Sequence, residues 1–195
     1  MKHIYFIRHA ETEGNKRQML MGCRIDTPLS EIGIMQAKNL AQKLKDFPIE
    51  SVFVSSNTRA QDTARLLFDN SLQAVVCDQL REQDFGSMTG TLLSDIPAHI
   101  NESFFQDPYH FRHEGGESLA DLKDRLAQFM RENIESNPAQ HIAIITHENV
   151  IKAVVGYMKD LSHEITALKF NNCSVTQYIF NDSDYEAICI NRIYQ

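Results

Sequence analysis

The sequence predicts an α/β fold: a three-layer sandwich with a mostly parallel central sheet, helices on both faces, and an antiparallel C-terminal strand or hairpin. Three observations carry that expectation. Four short runs are apolar almost throughout, as in strands buried on both sides. Stripes of helical period fall between them. Near the end, two strand-like runs flank the turn-rich Asn181-Asp182-Ser183-Asp184, the pattern of a hairpin.

In chain order, KHIYFI (2–7) and SVFVSS (51–56) are the first two strand candidates, followed by QAVVCD (73–78) and HIAIIT (141–146). Between the first two, Ser30 is a plausible N-cap. Ile34, Ala37, Leu40, Ala41 and Leu44 then repeat with helical spacing. A second stripe over 57–68 uses Ala60, Ala64, Leu67 and Phe68; a third over 118–134 uses Leu119, Leu122, Leu126, Phe129 and Met130. The run 150–158 reads as a helix apolar nearly all round. SVTQYIF and YEAICINRIY supply the closing hairpin.

No repeat, low-complexity tract or interdomain linker interrupts the chain, so 1–195 is expected to be one domain with enough chain for a sizeable core. One stretch, 82–117, shows no clear period and holds Gly86, Gly90, Pro97, Pro108, Gly115 and Gly116. Irregular segments of that length in a compact domain are often functional, and a lid is expected here.

Composition narrows the partners. The 26 acidic residues exceed the 19 basic ones, for a formal charge of −7, which argues against nucleic acid or an anionic membrane as partner. No stretch approaches the roughly 20 apolar residues of a membrane span, and the run 4–7 is too short and too early for a secretory signal. Cys23, Cys77, Cys173 and Cys189 are far apart and form no CxxC pair. Reduced thiols and a cytoplasmic location are the expectation, with no metal and no cofactor.

Ligands of open parallel sheets gather outside the carboxyl ends of the strands. Arg8 and His9 follow the first strand and Arg59 opens the helix after the second. Glu82 lies just past the third, and His147 ends HIAIIT. Such a set suits phosphoryl transfer. Guanidinium groups match phosphoryl oxygens and stay charged. Imidazole is a nucleophile at neutral pH. A carboxylic acid can protonate the leaving oxygen and later deprotonate water, for which Glu82 should titrate above its ordinary value.

Five blocks in one order resemble the histidine phosphatase superfamily, the relatives of cofactor-dependent phosphoglycerate mutase. FIRHAETEGN resembles the RHGET signature, and LMGCRIDTPLSEIGIMQA the segment after it. SSNTRAQDTA resembles the block of the second phosphate arginine, LREQDFGSMTG that of the acid, and IITHENVIKAVV that of the second histidine. The resemblance implies that His9 is the phosphorylated nucleophile. Arg8, Asn15, Arg59 and His147 would hold the phosphoryl group, Glu82 would be acid then base, and the Gly22 backbone would approach substrate. It also implies a small phosphomonoester as substrate and metal-independent hydrolysis. A mutase outcome and a phosphate-binding protein with a decayed site stand as alternatives, and the exposed edge of the hairpin would allow a homodimer.

Two positions depart from the family pattern. Ala10 and Glu148 stand where glycine usually follows each histidine. Ala10 is tolerable if its φ is negative. Glu148 is expected in the first turn of the next helix, favoured by the dipole and pointing outward. Turned inward, it would contact substrate and weaken or narrow the site. Among the rest, His3, His99, His141 and His163 read as surface or core. His110 and His113 lack a nearby third ligand, so a lid or substrate contact is expected of them. The aromatics of FFQDPYHF (104–111) should anchor a flap to the core, and Gly115-Gly116-Glu117-Ser118 should form a turn and a helix start beside the entrance. Arg24, Lys16 and Arg17 would add positive potential there or simply solubilise the surface.

Overall fold

The computed structural model describes residues 1–69, 72–181 and 184–194. Six strands form one sheet: β1 (Lys2–Arg8), β2 (Ser51–Ser55), β3 (Ala74–Cys77), β4 (His141–Thr146), β5 (Val175–Asn181) and β6 (Asp184–Arg192). Their order is β3-β2-β4-β1-β5-β6. β1 through β4 run parallel to their neighbours within that group; β5 is antiparallel to β1, and β6 to β5. The turn residues Asp182 and Ser183 of the expected hairpin lie outside the described residues.

Period-two alternation splits the core into two layers. Ile4, Phe6, Ile142 and Ile144 face α5 (Leu119–Phe129) and α6 (Glu148–Lys159), where Leu122, Leu126, Phe129, Val150 and Val154 complete a buried cluster. Tyr5, Ile7, Ala143 and Ile145 face the other way, onto Ala37 and Leu40 of α2 (Glu31–Leu44) and Ala60, Ala64 and Leu67 of α3 (Thr58–Phe68). Ser30 caps α2, accepting from the Gly33 amide at 2.9 Å. Ser118 caps α5 in a capping box with Asp121. α5 runs on as a π-helical segment, Met130–Glu135.

Three details differ from the sequence reading. β3 is an edge strand whose Val75 and Val76 are about half exposed, 51% and 54%; an apolar run shows strand propensity but does not ensure cover on both faces. The segment 82–117 is not wholly irregular. It holds α4 (Ala98–Gln106) and short 3₁₀ turns at Gly86–Met88 and Leu93–Asp95. The sequence reading missed α4 because the helix is only nine residues long and buries none of them fully; its apolar Ile100 and Phe104 line the cleft instead of the core. A one-turn helix, α1 (Glu13–Lys16), follows the first strand, boxed by Thr12 and Asn15. Among the described residues no helix is long and apolar enough to cross a membrane.

Candidate active site

The carboxyl ends of β1, β2 and β4 open on a cleft of about 540 Å³. Arg8, His9, Asn15, Gly22, Arg59, Glu82 and Glu148 all line it. His147 does not reach the wall. It is fully buried beside His9, with ring centroids 5.1 Å apart.

β1 delivers Arg8 and His9 because its parallel pairing with β4 ends at Arg8 opposite Thr146, and the His9 amide then donates to the Thr146 carbonyl at 2.9 Å. His9 Nδ1 meets the Ala10 carbonyl at 2.8 Å, which holds the proton there and leaves Nε2 as the acceptor, 3.3 Å from Arg59 Nε. Burial, then the Arg59 and Arg8 charges, push the His9 pKa well below its ordinary 6.5. His147 is lowered likewise, by burial first and then by Arg59. Its Nε2 meets Ser55 Oγ at 2.7 Å.

Arg59 is the most constrained cation of the site. Although buried to 1% exposure, it donates to the Gly22 carbonyl at 2.8 Å and the Ile25 carbonyl at 3.1 Å, and pairs with Asp26 at 2.5 Å. Asp26 also accepts from the Thr58 amide, tying the loop after α1 to the start of α3. Gly22 has φ +53°, and a Cβ there would stand 2.8 Å from the Gln83 carbonyl, so this turn requires glycine. Asn15 Oδ1 accepts from Thr12 and Asn172. Arg8 Nε and His147 Nδ1 are buried without a hydrogen-bond partner among the described residues. Such groups are costly unless a ligand satisfies them.

Glu82 is 9% exposed, and burial raises its pKa against the lowering pull of the Gln83 amide and of Arg59 and Arg8. The Asn57 carboxamide accepts from the Glu82 amide at 3.2 Å and donates to the Cys23 carbonyl at 3.0 Å, joining the Glu82 segment to the loop after α1. The glycine-rich turn before α5 packs against this block. The Glu117 carboxylate accepts from the Asp84 amide and pairs with Arg125 at 3.0 Å.

The two departures resolve differently. Ala10 is fully buried, is not among the residues with positive φ, and donates its amide to Thr63 Oγ1 at 3.0 Å. The expectation that Glu148 points outward is corrected. It opens α6 as anticipated, yet its carboxylate pairs with Arg8 at 3.2 Å and with Lys152 at 3.5 Å, inside the cleft. Two buried or half-buried cations outweigh the pull of solvent, and Lys152, one turn along the helix, is the partner the sequence reading missed. Asn172, Gln83, Asn149 and Lys169 also line the cleft unforeseen; polar residues in loops and on helix faces carry no period that would mark them. Arg24 lies outside the lining, paired with Asp84 at 2.8 Å. Of the aromatics expected to anchor a flap, Tyr109 does so in the core, whereas Phe104, Phe105 and Phe111 line the cleft.

A separate depression of about 320 Å³ beside α3 and β3 holds, among the described residues, a single ionisable side chain, Arg65, already paired with Asp62.

Comparison with known proteins agrees with this geometry. A family model, the histidine phosphatase superfamily (branch 1), matches residues 4–192. Phosphoserine phosphatase 1 of Hydrogenobacter thermophilus is 29% identical over 158 residues, covering 79% of this chain and 74% of its own. The fructose-2,6-bisphosphatase TIGAR B of Danio rerio is 32% identical over 143 residues, 71% of this chain and 55% of its own. The mycobacterial glucosyl-3-phosphoglycerate phosphatase, solved with VO3, superposes with a TM-score of 0.89 at 25% identity, covering 98% of this chain and 99% of that one. The sheet order, the cleft at its strand ends and these matches lead to one assignment: the chain belongs to the histidine phosphatase superfamily, branch 1.

Proposed function

We propose that this phosphomonoesterase works through a phosphohistidine at His9. The observation that carries the reading is the state of His9. Its Nδ1 is held by the Ala10 carbonyl, its Nε2 faces the cleft side of Arg59, and its pKa is depressed, so the nucleophilic nitrogen keeps its lone pair at neutral pH. That lone pair attacks phosphorus while the P–O bond to the leaving group breaks. Glu82, kept protonated more readily by burial, gives its proton to the leaving oxygen. Water then attacks phosphorus, Glu82 takes its proton, and the P–N bond electrons return to His9.

Arg8, Arg59, His147 and Asn15 hold the phosphoryl oxygens in this reading. The unpartnered Arg8 Nε and His147 Nδ1 are supporting donors for that role. The Gly22 carbonyl orients Arg59, and Glu148 with Lys152 faces the leaving group. The relatives act on phosphoserine, fructose-2,6-bisphosphate and glucosyl-3-phosphoglycerate by name, which supports a small, hydroxylated or charged leaving group here. Residues 82–117 are read as a lid within one domain of 1–195, because α4 places Ile100, Phe104 and Phe105 along the cleft. Four free cysteines support a reducing, cytoplasmic setting, and the outer edge of β6, with Ile188 and Ile190 exposed, is the surface on which a homodimer would form. The net charge of −7 supports the absence of a nucleic-acid partner.

The test is phosphate release from a panel of phosphomonoesters, in chelator, by the wild type and His9→Ala. Alkali-stable, acid-labile label on the wild type alone, with turnover lost in the variant, supports the reading. Turnover surviving in His9→Ala overturns it, and transfer to a second phosphoglycerate instead of water would mark a mutase.

A further inference from the structure

Away from the cleft, one group of ligand-type side chains gathers among the described residues: Asp107, His110 and His163. The sequence offered His110 no third ligand. The fold supplies one by bringing the 3₁₀ turn His163–Ala167, which follows α6, against the end of α4. His110 Nδ1 lies 2.9 Å from Asp107 Oδ2, and His163 Nε2 lies 3.2 Å from Asp107 Oδ1. The three ligand atoms fall within 4.8 Å of one another. Two ligands on one tetrahedral ion, with bonds of about 2.0–2.1 Å, stand roughly 3.3 Å apart. An imidazole N–H facing a carboxylate is the same donor pair with a proton where an ion would sit.

The surroundings favour a cation. Asp107 pairs with the two histidines and with no lysine or arginine among the described ion pairs. The ring of Tyr109 packs beside both imidazoles, 4.9 Å from that of His110 and 5.5 Å from that of His163. Asp107 is also the C-cap of α4, where the helix dipole is negative. All three side chains are half exposed, 49% for Asp107 and 59% for each histidine, which leaves room for water to fill the remaining coordination position.

We propose that Asp107, His110 and His163 form a divalent-cation site. Two imidazoles and one carboxylate suit Zn²⁺ over Mg²⁺ or Ca²⁺, which prefer all-oxygen sets. The site is independent of the phosphohistidine reading, but it joins two segments whose neighbouring residues line the cleft. Asp107 ends the helix that carries Ile100 and Phe104, and Thr166, whose hydroxyl donates to the His163 carbonyl, lines the same cleft. A bound ion therefore fixes how far α4 can move from the body.

The experiment uses the full, untagged chain stripped by chelator and titrated with Co²⁺ and then Zn²⁺. One Co²⁺ per chain, with the visible bands of a tetrahedral site that Zn²⁺ displaces, is expected. His110→Ala and His163→Ala should each weaken binding by about 10-fold or more, while His99→Ala, exposed elsewhere on α4, leaves it unchanged. Slower proteolysis within 82–117 in the presence of Zn²⁺, lost in His163→Ala, is the second expected reading. Wild type that binds neither ion at micromolar concentration, or binding unaltered by both substitutions together, overturns the proposal. Both histidines are exposed, so the variants should fold, and circular dichroism checks this.

Discussion

Arg59 Nε stands 3.3 Å from His9 Nε2, on the opposite side of the imidazole from the Ala10 carbonyl that takes Nδ1 at 2.8 Å. Two fixed neighbours thus define the tautomer of one ring. Arg59 is in turn held by Asp26 and the Gly22 carbonyl, so the proton state of His9 depends on a separate loop acting through a helix start that is distant in sequence.

That chain of support predicts a gradient of losses. His9→Ala should abolish turnover. Gly22→Ala forces a Cβ at φ +53° against the Gln83 carbonyl and shifts the carbonyl that holds Arg59. We expect kcat/KM to fall by about 10–100-fold with a lower Tm. Asp26→Asn keeps the shape but frees Arg59, and should raise KM more than it lowers kcat. Steady-state kinetics with a chromogenic phosphomonoester distinguishes the three.

Glu82→Gln should separate activity from stability. Its folded pKa is raised, so Glu82 favours folding most below its unfolded pKa, and that contribution is lost as pH rises through the folded value. At neutral pH the buried carboxylate is therefore a burden, and the amide removes it. Turnover is expected to drop by about 10²–10⁴-fold, while Tm at pH 7 rises. A Tm that falls would show that the carboxylate is ionised and paired in the folded protein.

The two buried histidines set the acid limit of stability. Both have folded pKa values well below the ordinary 6.5. Above 6.5 they are neutral folded or unfolded. Below it the unfolded chain takes protons that the folded chain refuses, so stability is lost as pH falls from 6.5 toward the folded values. Denaturant midpoints should decline over that window, and less steeply in His147→Gln.

If Arg8 holds the phosphoryl group as proposed, Glu148 competes with substrate for it. Its pair with Arg8 is partly exposed and its hold correspondingly modest. Glu148→Gln should lower KM for phosphomonoesters with uncharged leaving groups by about 3–10-fold at low salt, with less effect at high salt. An unchanged or raised KM would mean that Glu148 serves substrate binding instead.

Much of the candidate site is legible in the sequence, because strand ends are marked by where apolar runs stop. Arg8 and His9, Arg59, Glu82 and His147 each follow such a run closely, and the parallel sheet then had to bring them together. What the sequence by itself determined was therefore the strands of the sheet, the helices packed on its two faces, and the side chains gathered at its rim. Tertiary structure alone decided the rest. Whether Val75 is covered depends on its strand's place in the sheet, and the inward turn of Glu148 depends on two cations that its own helix and a distant strand supply. Asp26 became a clamp, and His163 a neighbour of Asp107, only when separate segments met. Local pattern encodes what a residue does along its own element; the direction of a charged side chain is set by the field of everything packed around it, which no single stretch of sequence contains.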